Sequence, residues 1–380
     1  MIRILLFLFA NNFFNLANYI MLTLLVYDIF INNRRKIFNI KSIAYVFLIL
    51  ASITYLFLSL YNKLEINISS FLLKFLCPLV LFYIGYSRGK QGYKIWSKDI
   101  LIITLGTFMH GFLNIIKNRN INVLLIAGRQ YHDIYGGVIS GTLQNLTFVL
   151  SSGLLFYFIM YEKSKMIKIF GIIMVLLAGY GSIVNASRTI LYIILIAFFI
   201  CLFLHLILKY KIFKGMLYGI GVSFSLIFLS LLVFWLDMFK IQERFAKTAL
   251  GQRNAAARAS SSILKNVRWK YALDLLKMLP EYPLGNMPYD HYAHNLWIDI
   301  GKETGILPFI FYISFSILSV IQMVKFCLKN KHDTKKIIFV VGIFIPNIFV
   351  FFTEPIMQGS QLTFSIFCFI IGGLVAFKKK

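Results

Sequence analysis

Charge is scarce in this chain, and acid is scarcer still. Of 380 residues only 14% are charged, with 39 Lys and Arg against 14 Asp and Glu, a formal net charge of +25. So little charge argues against a water-soluble fold, whose residues are ordinarily about a quarter charged and no more than about half apolar. Cysteine is sparse too. Cys77, Cys201, Cys327 and Cys368 lie in or at the ends of apolar runs, far apart and without a C-x-x-C pair. That pattern fits packing residues rather than a disulfide framework or a zinc site. The chain has no G-x-x-x-x-G-K-[ST] phosphate loop, which argues against nucleotide-driven transport. It also has no D-x-D pair for a metal-bound nucleotide sugar and no G-x-S-x-G nucleophile turn. No internal repeat or low-complexity segment is present.

What is there is apolar: 59% of residues are hydrophobic, and the mean hydropathy is +0.78. The apolar residues fall in runs long enough to cross a bilayer as helices, beginning near Ile4, Ser42, Phe71, Ile100, Val138, Ile167, Thr189, Ile212, Gly305, Ile337 and Gln361. The expected fold is therefore an all-α polytopic membrane bundle of about eleven transmembrane helices. The first run continues past Phe13 to Phe30 without an A-x-A-like cleavage site, so it reads as a retained span rather than a signal peptide. Asn11, Asn12, Asn15 and Asn18 make it unusually polar, and it is expected to be irregular.

Charge orients the bundle. Short basic connections (34–41, 88–98, 163–168, 209–214, 325–336 and 378–380) alternate with the segments 62–70, 117–137, 185–188, 237–303 and 354–360. The positive-inside rule assigns the first set to the cytoplasm and the second to the outer face, with the N-terminus outside and the C-terminus inside. It also accounts for the +25 charge without nucleic acid. The chain then reads as three parts: bundle over 1–236, an extracytoplasmic loop with a helical lobe over 237–303, and the rest of the bundle over 304–380. Within the loop, Ile263, Val267, Tyr271, Leu275 and Met278 recur at helical spacing between Ser260 and Leu279. Pro280, Pro283 and Gly285 end the pattern.

Arginines on an outer face run against the charge rule and need a reason. Arg129 lies beside Tyr131, His132 and Asp133, Arg188 stands in N-A-S-R-T, and Arg244, Arg253, Arg258 and Arg268 lie in the long loop. A guanidinium suits bidentate contact with phosphate oxygens, so arginines at the outer surface suit a lipid-linked phosphate or diphosphate. The competing reading is pairing with Glu243, Asp274 or Glu281, or with lipid headgroups. Arg188 stands apart because apolar spans flank it on both sides, where an unpaired charge is costly. His294, in D-H-Y-A-H-N-L-W-I-D-I-G-K-E-T-G, is a candidate general base. It is equally an interfacial histidine in an aromatic belt with Tyr289, Tyr292 and Trp297. Asp290, His291 and His294 alone make a weak metal site, so no metal and no cofactor is expected. Tyr131, Tyr135, Tyr282, Tyr289 and Tyr292 could stack on sugar rings, although interfacial anchoring is their ordinary role.

The segment V-R-W-K-Y-A-L-D-L-L-K-M-L-P-E-Y-P-L-G-N-M-P-Y-D-H-Y-A-H-N-L-W-I-D-I-G-K-E-T-G resembles the signature region of the O-antigen ligase and polymerase superfamily of bacterial membrane glycosyltransferases. That pattern is an Arg, an amphipathic helix, a P-L-x-G turn, a His-Asn pair, and a short helix leading to Glu-x-Gly. Here these are Arg268, then Pro283, Leu284 and Gly285, then His294 and Asn295, then Glu303, Thr304 and Gly305. The turn reads P-L-G-N rather than the fuller P-L-x-G-x-G. N-A-S-R-T is similar to the family's S-R-[ST] motif at the outer end of a span, and A-G-R-Q-Y-H-D resembles a looser motif around Arg129.

The resemblance implies a metal-independent, inverting transfer of a glycan from undecaprenyl diphosphate at the outer leaflet of the bacterial inner membrane. Arg188 and Arg268 would hold the diphosphate and stabilise its charge as it leaves. His294 would take the acceptor proton. Arg129, Tyr131, Tyr292, Asn295 and Glu303 would contact substrate. The partners implied are the lipid-linked oligosaccharide, membrane lipids and a chain-length regulator. The motifs leave open whether the chain is a Wzy-type repeat-unit polymerase or a WaaL-type ligase, with polymerase the favoured reading. A flippase for the same lipid-linked sugar is a third alternative.

Overall fold

The computed structural model describes residues 1–32, 40–119, 130–210, 212–237, 240–259, 267–289 and 292–377. In chain order the elements begin with helices α1 (Ile2–Ala10), α2 (Ala17–Tyr27) and α3 (Ile43–Tyr61). Helix α4 (Ile68–Phe71) runs through a π-helical turn (Leu72–Leu76) into α5 (Cys77–Lys90), and α6 (Tyr93–Lys117) follows. A hairpin comes next, with strands β1 (Gln130–His132) and β2 (Val138–Ser140). Three short helices, α7 (Gly141–Leu146), α8 (Val149–Gly153) and α9 (Leu155–Met160), lead to α10 (Lys165–Val184), α11 (Thr189–Tyr210) and α12 (Ile212–Trp235). The long loop carries α13 (Ile241–Ala246), α14 (Ala249–Ala259), α15 (Val267–Met278) and α16 (Leu296–Thr304). The chain then forms α17 (Ile306–Lys329), α18 (Thr334–Thr353), α19 (Ile356–Gly359) and α20 (Gln361–Ala376).

Apart from the hairpin the described residues are all-α, and the protein is a multi-pass membrane protein. Eight helices among the described residues are long and apolar enough to cross a bilayer, starting at Ile43, Ile68, Tyr93, Lys165, Thr189, Ile212, Ile306 and Thr334. They coincide with eight of the expected spans. The other three differ. The eleventh is the shorter helix α20. The fifth is broken into α7, α8 and α9, with Leu154 leaving helical geometry between the last two.

The first expected span is not a single crossing. Asn12, Phe14 and Asn15 take positive φ values of 49°, 52° and 59°, which break the helix between α1 and α2. Asn tolerates this left-handed geometry better than most residues. Helices α1 and α2 contact one another, and the chain doubles back. Arg3 Nε lies 2.9 Å from Asp99 Oδ1, while Arg88 Nε lies 2.5 Å from Asp99 Oδ2. At the far end of α2, Asp28 accepts a hydrogen bond from Ser87. Both ends of the α1–α2 hairpin therefore sit at the end of the bundle that carries the basic 88–98 turn. This corrects the expectation of an N-terminus on the opposite face.

The chain forms two compact units. The first comprises residues 1–109, 266–328 and 347–380, and the second 110–265 and 329–346. The loop over 237–303 is thus divided after residue 265. In the first unit, α5 and α20 are in intimate contact. A Cβ on Gly85 would lie 2.0 Å from the Phe369 carbonyl oxygen, and one on Gly372 would lie 2.0 Å from that of Phe82. Gly85 and Gly89 are spaced i, i+4, so backbone meets backbone without intervening side chains, the usual way spans gain contact where lipid supplies no hydrophobic drive. In the second unit, Gly153 meets the Gly342 backbone in the same manner.

Candidate functional site

The signature loop of the first unit builds outward from two glycines. Gly285 has φ 89° and Gly305 φ 84°, values that L side chains rarely adopt. Their turns cross. The Ile306 N–H donates to Pro283 O at 3.0 Å, the Asn286 N–H to Glu303 O at 3.3 Å, and the Met287 N–H to Lys302 O at 3.2 Å. The Asn62 side chain, from the end of α3, clamps both turns, donating to Leu284 O at 2.8 Å and Glu303 O at 2.9 Å. The P-L-G and E-T-G motifs of the sequence are thus two halves of one backbone junction. Glu303 itself accepts a 2.9 Å hydrogen bond from the Tyr55 hydroxyl, which anchors its carboxylate to α3.

Helix α15 covers this junction. It begins at Val267, and the Ser260–Asn266 part of the expected helix lies outside the described residues. Ala272, Leu275 and Leu279 are buried with Met287 and Ala293, and Met278 and Tyr282 pack against them. Of the expected stripe, Leu275 is buried and Met278 packs beside it, while Ile263 and the side chain of Val267 lie outside the described residues; Pro280 follows the helix end. Arg268 lies in the first turn of α15; its side chain lies outside the described residues, as do Arg129, the side chain of Tyr131, Asp290 and His291.

His294 sits on the turn that enters α16 and has φ 56°, a costly conformation for a residue with a Cβ. Asp299 holds it there. This carboxylate is fully buried and accepts from the Ala293 N–H at 2.7 Å through one oxygen and from the Asn295 N–H at 3.0 Å through the other. Burial pushes Asp299 up to about 6, against the two amide hydrogen bonds and the nearby His294, which favour its charged form, while Glu303 adds to the upward push. Asn295 caps α16, accepting from the Trp297 and Ile298 amides at 3.2 Å each. Its oxygen is thus engaged in the fold.

The His294 ring is about one-third exposed, and its Nδ1 faces inward, 3.9 Å from Oε2 of the buried Glu354. Tyr292, beside it in sequence, is exposed, with the Lys302 ammonium 4.6 Å from its ring centroid. Below α16, Trp297 donates to Ser316 Oγ at 2.9 Å and heads an apolar groove of about 240 Å³ between α17 and α18, lined also by Ile313, Ile317, Ile348 and Phe352. Asp299 was not among the residues expected at the site, and an acidic residue four after a helix-capping Asn was the available signal for it. Glu354 was marked in the sequence only by its place on an outer-face segment between the last two spans, with no role attached.

Arg188 belongs to the second unit. It follows a turn in which Ala186 has φ 51°, and its side chain is exposed with no ion pair or hydrogen bond among the described residues. Arg253 of α14 donates from Nη1 to Ala186 O at 2.5 Å, and Asn185 donates to Asn145 Oδ1 at 2.8 Å, so the turn is held from two sides. The hairpin after Arg129 is held just as firmly. Its register pairs Gln130 with Ser140, Tyr131 with Ile139 and His132 with Val138. At its tip, Asp133 takes hydrogen bonds from Asn114 at 2.8 Å and, on its carbonyl, from Lys117 at 2.7 Å, while Asn118 donates to His132 O at 2.8 Å. A scan against protein-family models finds no match to this chain, and a search of curated proteins finds no relative.

Proposed function

We propose that the protein is a membrane glycosyltransferase that polymerises lipid-linked glycan repeat units. In this reading the acceptor hydroxyl gives its proton to His294 as its oxygen bonds to the anomeric carbon of the donor glycan. The bond from that carbon to the polyprenyl diphosphate breaks from the opposite face, inverting the centre. The resemblance assigns Arg188 and Arg268 to the negative charge left on the diphosphate, as electrostatic stabilisation of a leaving group requires. No metal is needed if arginines take that charge. The apolar groove under Trp297 offers a surface for the polyprenyl chain.

The observation that carries the reading is the geometry around His294. A candidate base is fixed in a left-handed turn by Asp299 and Asn295, on a loop whose two glycine turns lock together where the resemblance expects them. A fold that merely anchored a histidine in the interface has no need of such restraint. The exposed Arg188, on a turn braced by Arg253, supports the same reading: it is a cation without a protein counter-ion among the described residues.

The test is a gel of the surface glycan from cells lacking the gene, with extraction of their lipid-linked glycans. A polymerase predicts single repeat units on the surface and no ladder. Polymer retained on the lipid carrier would instead make the protein a ligase, and single units trapped on the inner leaflet would make it a flippase and remove the catalytic role of His294.

A further inference from the structure

We infer that Glu354 is the positioning partner of His294, holding the ring through Nδ1 so that the other nitrogen is free to take the acceptor proton; this rests on the glycosyltransferase reading above. Three observations meet at this point. Glu354 lies just past the C-terminus of α18, in a segment far from the signature loop in sequence, yet its carboxylate is the acidic group facing the ring, with Oε2 3.9 Å from Nδ1. Its side chain is only 2% exposed, whereas that of His294 is 35% exposed. The ring thus has a buried side toward the acid and an open side toward substrate. Nδ1 is itself buried and has no hydrogen bond among the described residues.

A carboxylate behind an imidazole fixes the tautomer and the ring orientation and stabilises the imidazolium formed when the ring accepts a proton. The separation of 3.9 Å is longer than a hydrogen bond. Such contacts commonly tighten only when substrate is bound. Asp299 does not fill the role, because both of its oxygens are taken by the backbone amides on either side of His294. The two acids therefore divide the work: Asp299 sets the backbone of His294, and Glu354 sets its ring.

The experiment uses the full-length protein in detergent, with lipid-linked glycan extracted from cells lacking the gene as donor and acceptor. Glu354→Gln keeps the shape and removes the charge. It is expected to lower kcat about 100-fold with KM for the lipid-linked glycan within about twofold of wild type. Glu354→Asp, which keeps the charge one methylene farther away, should recover much of the loss. Wild-type kcat in Glu354→Gln overturns the inference, and so does an equal loss in both variants. If the Gln variant does not accumulate, Glu354→Asp decides alone: an intermediate kcat supports the inference and a wild-type kcat overturns it. A second measurement does not depend on transfer. Carbethoxylation of His294 by diethyl pyrocarbonate, followed by peptide mass spectrometry, should change in rate at least threefold in Glu354→Gln and less in Glu354→Asp. An unchanged rate overturns the coupling. A His294→Ala protein that still transfers glycan overturns the glycosyltransferase role of His294 instead, and the carbethoxylation rates then still show whether Glu354 controls the ring.

Discussion

His110 Nε2 lies 2.6 Å from Asp133 Oδ1, and this buried pair joins the end of α6 to the tip of the hairpin that follows it. Burial raises the carboxyl of Asp133, but the hydrogen bond and charge of His110, the Asn114 amide and the Tyr135 N–H outweigh it, and the net direction is downward. A carboxylate lowered on folding adds stability that is present above its unfolded value of about 4 and is lost as the pH falls through its lower folded value. The hairpin should therefore resist proteolysis at neutral pH and open below about pH 4. Asp133→Ala should cost about 3 kcal/mol, because it strands His110 and Asn114 in a buried site. Thermal unfolding in detergent and limited proteolysis across 130–140 measure both effects, and a variant as resistant as wild type would refute the assignment.

Asp299 predicts the opposite slope. Its value is raised to about 6. A carboxyl raised on folding binds more protons folded than unfolded between about pH 4 and 6, so stability falls as the pH rises through that window, by about 3 kcal/mol in all. Activity should move the other way. Below about pH 6 a protonated Asp299 keeps one good acceptor for two amides, and the turn carrying His294 loosens. Asp299→Asn imposes the same deficit at every pH. Its kcat should fall about 100-fold, and the stability loss between pH 4 and 6 should vanish. A pH series of melting temperature and transfer rate in wild type and Asp299→Asn checks both.

Glycine substitutions separate crowding from backbone strain. A Cβ on Gly305 would stand 2.1 Å from Pro283 O, and one on Gly285 2.5 Å from Glu303 O, both at positive φ. Gly305→Ala and Gly285→Ala should each cost about 3 kcal/mol or more and abolish accumulation in the membrane. Gly136 also has positive φ, 97°, but nothing lies within 4 Å of its would-be Cβ. Gly136→Ala should cost only about 1 kcal/mol. Membrane abundance by immunoblot is sufficient to rank the three.

Arg188 and Arg253 of the second unit should behave differently. Arg188→Ala removes an exposed side chain that supports nothing among the described residues, so the melting temperature should hold while transfer falls about 100-fold or more. Arg253→Ala removes a donor to Ala186 O and should lower stability by about 1–2 kcal/mol. A fully active Arg188→Ala protein would end its role at the diphosphate.

Much of this architecture was legible from hydropathy, because a helix in lipid must be apolar along its whole length. The α1–α2 hairpin was not, because its break depends on Asn12, Phe14 and Asn15 adopting left-handed geometry, which residue type permits but does not dictate. The fifth expected span hid its breaks for a similar reason, since the stretch from Val138 to Met160 reads as one apolar run. At the site, motifs bring out contiguous residues such as His294 and Asn295. They are blind to contacts made by folding, such as that of Glu354, just past α18, with His294, or that of His110, which is 23 residues from Asp133. Glu303, expected to contact substrate, also accepts a hydrogen bond from Tyr55, a partner no motif displays.

The glycine contact between α5 and α20 sets a schedule for biosynthesis. Gly372 leaves the ribosome 287 residues after Gly85. At about 5–20 residues per second, α5 waits roughly 15–60 s for its partner. Throughout that interval the bare groove at Gly85 and Gly89 is open to lipid, to an insertase or to a neighbouring helix. A nonsense codon anywhere before α20 would leave that groove permanently open, and the shortened chain would be a substrate for membrane proteases even with every residue of the signature loop intact.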